Sequence, residues 1–430
     1  MNENIIGLSE KYKLEKLLNY IKDEEIIMMG EATHGTYEFY KARAELTQRL
    51  IEEKKVTAVA VEGDWPSIYR VNKFVQGRSS DDTPFTSLAG IEQFPLWMWR
   101  NKTFLEFIIW LKEYNSYLEE KDRIRIYGLD LYSLHSSSKS VIEYLEKVDP
   151  KEAKLAKQRY NCFEKFGFDM QNYGYLTVQG LTQNCKKEVL EQLLQLQQNS
   201  YSYLKQDGFI KQEELFCAQQ NAEVVKDAEN YYQSIFFANS NISWNIRDTH
   251  MLNTLKAIYE HQNDQGKNAK IVVWAHNSHI GDSRATQFAQ QGQVNIGQLA
   301  RQNFSKENVF LLGFSTYNGT VSAASDWGAP VERKNVRAAL EESYESYFHT
   351  FDHSDLLIFS DKLDIKPMLQ RAIGVIYRPE TERWSHYFMA DLKNQFNAMI
   401  HYDNTMAVEP LEKSAEWERG EMPETYPFGL

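Results

Sequence analysis

The chain has 430 residues, 42% hydrophobic and 25% charged, with a net charge of −12. These figures suit a globular chain with ample core, in one large domain or two. The acidic balance argues against a partner that is nucleic acid or an anionic membrane, since both call for basic patches.

The N-terminus, MNENIIGLSEKYKLEKLL, has no basic stretch followed by an apolar core, so no signal peptide is expected. EIIMMG (25–30) opens a series of short apolar runs that continues with VTAVAVEG (56–63), IRIYGLD (124–130), KIVVWAH (270–276) and NVFLLGF (308–314). The segments between the first three are amphipathic and long enough for crossover helices. Apolar runs alternating with helices predict an α/β fold whose central, mostly parallel sheet is flanked by helices. FIIWL, among the longest apolar stretches, is far too short to span a bilayer.

The alternation breaks over 150–255. In CKKEVLEQLLQLQQNSYSYLKQD and its neighbours, Leu and aromatic residues recur at helical spacing among Gln, Lys and Glu. This predicts a helical insertion over 150–255 that splits the α/β core into a first part, 1–149, and a second, 256–430. No Gly-, Pro- or Ser-rich linker flanks the insertion, so it is expected to pack on the sheet as a wall or lid of a cleft. DLLIFS (355–360), AIGVIYR (372–378) and AMIHYDNTMAVEP (398–410) read as additional C-terminal strands, some antiparallel, with YDNT a turn between two of them. Cys162, Cys185 and Cys217 form an odd set without metal-type spacing. They are expected as reduced packing residues in a cytoplasmic protein.

Acids and histidines collect where these strands end. The first run ends in Glu31 and His34, the second in Glu62 and Asp64, the third in Asp130 and Tyr132, and the fourth in His276, Asn277 and His279. Open parallel sheets bind ligands at the carboxyl ends of their strands. Three of only ten histidines lie in two of these stretches, which a merely solvated loop does not explain. Asp64 also suits a helix cap, because Trp65-Pro66 follows and Pro favours the first helical turn. Arg43 lies on the stripe formed by Phe39, Leu46 and Leu50, so its guanidinium faces inward and needs an anion, either Glu31 or Glu62.

No G-x-S-x-G elbow is present, and Ser283 in IGDSR is a poor match to one. Water activated by a histidine base that a carboxylate orients is one remaining chemistry. Water activated by a divalent metal is another, with Glu31, His34, Glu62, His276 and His279 as candidate ligands, although their spacing is not that of H-E-x-x-H.

GEATHGTYEF, VAVEGDWP, LWMWRN, YGLDLYSL, RDTHM, VVWAHNSHIGD and RAIGVIYRPETERWSHYF, taken in order, resemble the erythromycin esterase family over about residues 25–410. The resemblance implies hydrolysis of an ester or lactone by activated water without an acyl-enzyme, in a deep cleft. It implies His34 as base, with Glu31, Arg43, Glu62, His276 and His279 as the other catalytic residues. It requires no cofactor and leaves a divalent metal open. On this reading Glu31 or Glu62 orients His34, and Arg43, His276 or His279 meets the oxyanion or the leaving alcohol. Asp64, Trp65, Trp97, Asp130, Tyr132 and Asn277 are expected to line the substrate cleft, with the aromatics of FPLWMW (94–99). His386 and His401 are expected in supporting roles. The implied partner is a small ester or lactone, such as a macrolide. A metal-dependent hydrolase or protease and a non-catalytic small-molecule binder are the alternatives.

Overall fold

The computed structural model describes residues 4–8, 13–167, 169–204, 209–236 and 241–420. Among the described residues the strands are β1 (Ile5–Gly7), β2 (Ile26–Met29), β3 (Ala58–Asp64), β4 (Arg125–Asp130), β5 (Ile271–Trp274), β6 (Val309–Ala323), β7 (Glu332–Val336), β8 (Asp355–Ile358), β9 (Met368–Arg371), β10 (Tyr387–Ala390) and β11 (Ala398–Thr405); β2 to β6, β8 and β11 fall in expected runs, and β1, β7, β9 and β10 lie outside them. Nine of them build one sheet in the order β1-β8-β11-β6-β2-β5-β3-β4, with β7 paired to β6. The run from β11 to β4 is parallel, and β1, β7 and β8 add antiparallel pairs. β9 and β10 form a separate hairpin-like pair.

The central strands are fully buried, as sheets covered by helices on both faces require. Helices Tyr37–Lys54 and Lys102–Ser116 cover one face, where Phe39, Leu46, Phe104 and Leu111 meet Val59, Trp274 and Leu312. The helix Asn241–Asp264 covers the other through Met251, Leu255 and Ile258. Between β4 and β5 the described chain is helical, with Leu145, Tyr173, Leu193, Leu196 and Val225 in a core of their own. Helix Leu134–Val148 contributes to that core together with the helices of the insertion.

Three expectations are corrected. AIGVIYR is not a strand: Ile373 and Ile376 make single bridges to Thr33 and Ala324, and the pairing strand, β9, lies just before it. YDNT is not a turn but the end of β11, which runs on because β6 is long enough to pair Tyr402 with Thr316 and Thr405 with Gly319. Cys162 and Cys185 are joined in a disulfide with Cα atoms 6.3 Å apart, leaving Cys217 free and buried. Packing of helix Pro150–Glu164 beside the start of helix Lys186–Leu204 brings the pair together, and an odd cysteine count conceals it. The pairing removes the reduced-thiol argument for a cytoplasmic location. No helix among the described residues is long and apolar enough to cross a membrane.

Thiol titration of the denatured protein checks the pairing. One reactive thiol per chain is expected before reduction and three after it. Three before reduction, from protein purified in air, contradicts the disulfide.

Candidate active site

β2, β5, β3 and β4 are neighbours in that order, so their carboxyl ends bring four polar loops to one rim of the sheet. The loop after β2 is pinned first. Gly35 lies so close to β6 that a Cβ there would sit 1.9 Å from the Ser322 carbonyl oxygen. The Gly35 carbonyl accepts from the backbone N–H groups of Ser322 and Val408. The Tyr40 hydroxyl, 3.0 Å from the His34 carbonyl and 2.7 Å from that of Met98, ties the same turn to the next wall.

This turn sets His34 in a three-membered chain. Its Nδ1 is 2.9 Å from Glu31 Oε1, and Glu31 Oε2 accepts from Arg43 Nη2 at 2.6 Å. Glu31, rather than Glu62, thus holds the ring. Arg43 and Glu31 are wholly buried. The guanidinium is flanked by the Tyr40 and Trp274 rings, 4.5 and 5.2 Å from their centroids, a placement that favours a desolvated cation. With Nδ1 given to a carboxylate, Nε2 of His34 keeps its lone pair. His34 lines a cavity of about 570 Å³.

His276 faces it across the cavity wall, ring centroids 4.7 Å apart. His276 caps the short helix Asn277–Ile280: its Nδ1 accepts from the Ser278 N–H. That acceptance puts the remaining proton on Nε2, which has no hydrogen-bond partner. Burial, with His34 adjacent, pushes the His276 pKa well down, so the ring stays neutral.

A second network centres on Arg247, a residue without a role in the sequence reading. Its Nη2 bonds Glu62 Oε1 at 2.7 Å and Asp130 Oδ2 at 2.6 Å, its Nε bonds Asp130 Oδ1 at 3.0 Å, and its Nη1 donates toward His279 Nε2 at 2.9 Å. His279 Nδ1 is 2.9 Å from Asp248, and Trp244 stacks on the ring at 4.4 Å. Burial alone opposes charge on Glu62, but His279 and Arg247 hold its carboxyl far below the usual range. Burial likewise opposes charge on His279, and Asp248 with Glu62 overcomes it, raising its pKa. Glu62 Oε2 accepts from the His276 backbone N–H at 2.8 Å, so this network also positions the histidine pair.

Trp244, Arg247 and Asp248 all come from helix Asn241–Asp264. Arg247 lies three residues from Trp244 and four from buried Met251, the same inward placement that marked Arg43, and this was the available signal. Asp64, Asp130 and Tyr132 line the cavity, as do Phe94, Met98 and Trp99 of the FPLWMW stretch. Trp65 does not: it is buried against Tyr69, Tyr127 and Phe216. Trp97 packs against Phe94 in a side cluster with Trp417. Asn277 stitches strand ends together, its side chain bonding the Phe314 backbone and its N–H the Glu31 carbonyl. His386 lines the cavity, whereas His401 bonds Ser315 in the core. The Ser283 hydroxyl is given to Gln298.

The five candidate metal ligands do not assemble into a donor set. Both oxygens of Glu31 and of Glu62 are engaged by cations or N–H groups, and both nitrogens of His279 have partners. Among the described residues, no group of three or more His, Cys, Asp or Glu is placed to hold a metal ion.

Replacing Arg43 by Met leaves Glu31 buried beside His34 with no cation. The expected cost is about 3–5 kcal/mol in urea unfolding, with part recovered by adding Glu31→Gln. A loss below about 1 kcal/mol, the range of exposed pairs, contradicts the burial assigned to this pair.

The family model for erythromycin esterase matches residues 51–405. Erythromycin esterase type II of Escherichia coli is 22% identical over 317 residues, covering 71% of this chain and 72% of the relative. The Bacillus subtilis (strain 168) protein YbfO is 22% identical over 414 residues, covering 90% and 85%. Among solved structures, a succinoglycan biosynthesis protein aligns with a TM-score of 0.74 at 19% identity, covering 95% of this chain and 96% of its own. A variant of erythromycin esterase EreC in its open conformation aligns with a TM-score of 0.67 at 15% identity, covering 94% and 97%. At these identities the structures establish a shared fold.

Proposed function

We propose that this chain, which belongs to the erythromycin esterase family, hydrolyses a carboxylic ester or lactone with water activated by His34, macrolide rings being the first candidates. The observation that carries this reading is the Arg43–Glu31–His34 chain, which leaves one imidazole nitrogen bare on a cavity wall. His34 Nε2 takes a proton from water as its oxygen attacks the acyl carbon. Nε2–H of neutral His276 donates to the oxyanion, a role suited to a donor that carries no charge to neutralise the adjacent base. Arg247 lies in the same wall with its charge balanced by Glu62 and Asp130, so the neutral N–H of His276 is the main donor. The tetrahedral intermediate expels the alkoxide, and the proton held on His34 goes to it. The products are acid and alcohol, and His34 is again free.

Arg43 acts only through Glu31, since it is enclosed behind that carboxylate and does not reach the cavity. It positions the base rather than touching substrate. The hydroxyl of Ser283 and the thiol of Cys217 are turned to other partners, which favours water over an acyl-enzyme. Phe94, Met98, Trp99, Trp244 and Phe288 give the cavity the apolar walls that a bulky acyl or macrolide group needs.

Erythromycin and a panel of simpler esters, incubated with wild type and His34→Ala, are followed by mass spectrometry for gain of one water. His34→Ala is expected to fold as wild type by circular dichroism and to lose about 10²–10⁴-fold in turnover. Near-normal hydrolysis by His34→Ala defeats the base assignment. Wild-type turnover that a chelator abolishes points instead to a metal-dependent hydrolase.

A further inference from the structure

A second cleft, of about 650 Å³, shares Thr286 and Gln287 with the cavity of His34. No residue given a part in the proposed hydrolysis lines it. The chain carries a net charge of −12, yet this cleft is lined by three cations, Arg284, Arg301 and Lys306, and two carboxylates, Asp282 and Asp391.

The cations come from three places. Arg284 belongs to the loop after β5, Arg301 to helix Ile296–Asn303, and Lys306 to the turn beyond that helix. Asp282 serves both arginines. It accepts from Nε and Nη2 of Arg284 at 2.9 and 2.7 Å and from Nη1 of Arg301 at 3.2 Å. One negative charge thus stands between two positive ones. Arg301 is 5% exposed, and its other bonds go to neutral oxygens, the Asn394 carbonyl and the Asn397 side chain. Its Nε is shielded from solvent without a hydrogen-bond partner. Burial opposes charge on Arg301 and Asp282 offsets this only in part, so its pKa lies below the ordinary arginine value. Asp361 adds a smaller attraction and is itself bonded by Tyr20. Asp391 accepts from Asn394 Nδ2 at 2.6 Å. Lys306 is exposed and makes no ion pair among the described residues. A buried guanidinium that shares its counterion, beside an unpaired ammonium, suits a multivalent oxyanion.

The loop between the two cavities is tied to the far wall of the cleft. Thr286 bridges Ala390, Gln287 Oε1 accepts from the Met389 N–H at 2.9 Å, and the Ala285 carbonyl accepts from the Asp391 N–H at 2.7 Å. An anion that draws Arg284 away from Asp282 therefore acts on the segment that sets Ser283, Thr286 and Gln287 in the wall of the His34 cavity.

We infer that this cleft is a regulatory site for a multivalent oxyanion, a phosphate ester or a polycarboxylate, held between Arg284, Arg301 and Lys306 and linked to the His34 cavity through residues 282–287. The binding is independent of the reaction proposed for that cavity.

The test is calorimetry of the whole chain with pyrophosphate and, separately, with citrate, at low ionic strength where exposed charges are least screened. One of the two is expected to bind with a Kd of about 0.1–1 mM, as a few charge-assisted hydrogen bonds allow. The tighter of the two assigns the anion class. Arg284→Gln and Lys306→Gln should each weaken binding about tenfold. Lys16→Gln, which removes an exposed charge outside the cleft, should change it by less than about twofold. Amide hydrogen exchange over 282–291 should slow when the anion is bound. No binding of either probe at millimolar concentration, or an equal loss in all three variants, overturns the site. Binding that leaves exchange over 282–291 unchanged overturns its link to the His34 cavity.

Discussion

A buried cation behind a buried carboxylate behind a histidine is the constraint around which this rim of the sheet is organised. Arg43 and Glu31 have no contact with water, so each is tolerable only while the other is in place. The pair needs helix Tyr37–Lys54, on one face of the sheet, and the loop that leaves the end of β2 to meet within hydrogen-bond distance. It also needs the aromatic cover of Tyr40 and Trp274, which come from different elements. Their agreement fixes His34 with Nδ1 inward and Nε2 outward, and the chemistry proposed for the site follows from that tautomer.

Arg247 performs the corresponding task for the other half of the site. It reaches from the insertion to Glu62 on β3, Asp130 on β4 and His279 after β5. Helix Asn241–Asp264 is therefore part of the cavity's electrostatics as well as its wall. Glu62 in turn holds the His276 backbone, so the neutral histidine and the Arg247 network are joined through one carboxylate. One half presents a lone pair, and the other presents an N–H donor. Both face the same cavity.

Much of this could be read from residue order. The apolar runs located the parallel strands because strands buried on both faces have no polar alternation to blur them. The acids and histidines at their ends located the rim, and Arg43 announced itself as a cation on an apolar helical stripe. Other features depended on distant parts of the chain. YDNT looked like a turn because its own residues favour one, and only pairing with the long β6 keeps it extended. Trp65 and Trp97 sat in suggestive motifs, yet packing turned one into the core and the other into a side cluster. Arg247 was overlooked because the insertion read as an amphipathic wall, and its acidic partners are more than a hundred residues away. The Cys162–Cys185 pairing likewise depends on how two helices dock.

The protonation pattern of His34 tests the account most directly. Proton–nitrogen correlation spectra of ¹⁵N-labelled protein, assigned by comparison with His34→Gln, report which ring nitrogen carries the proton. The account predicts Nδ1–H bonded to Glu31 and a bare Nε2 in the neutral ring. A proton on Nε2 with a bare Nδ1 would make His34 a donor toward the cavity, and the general-base mechanism would not stand.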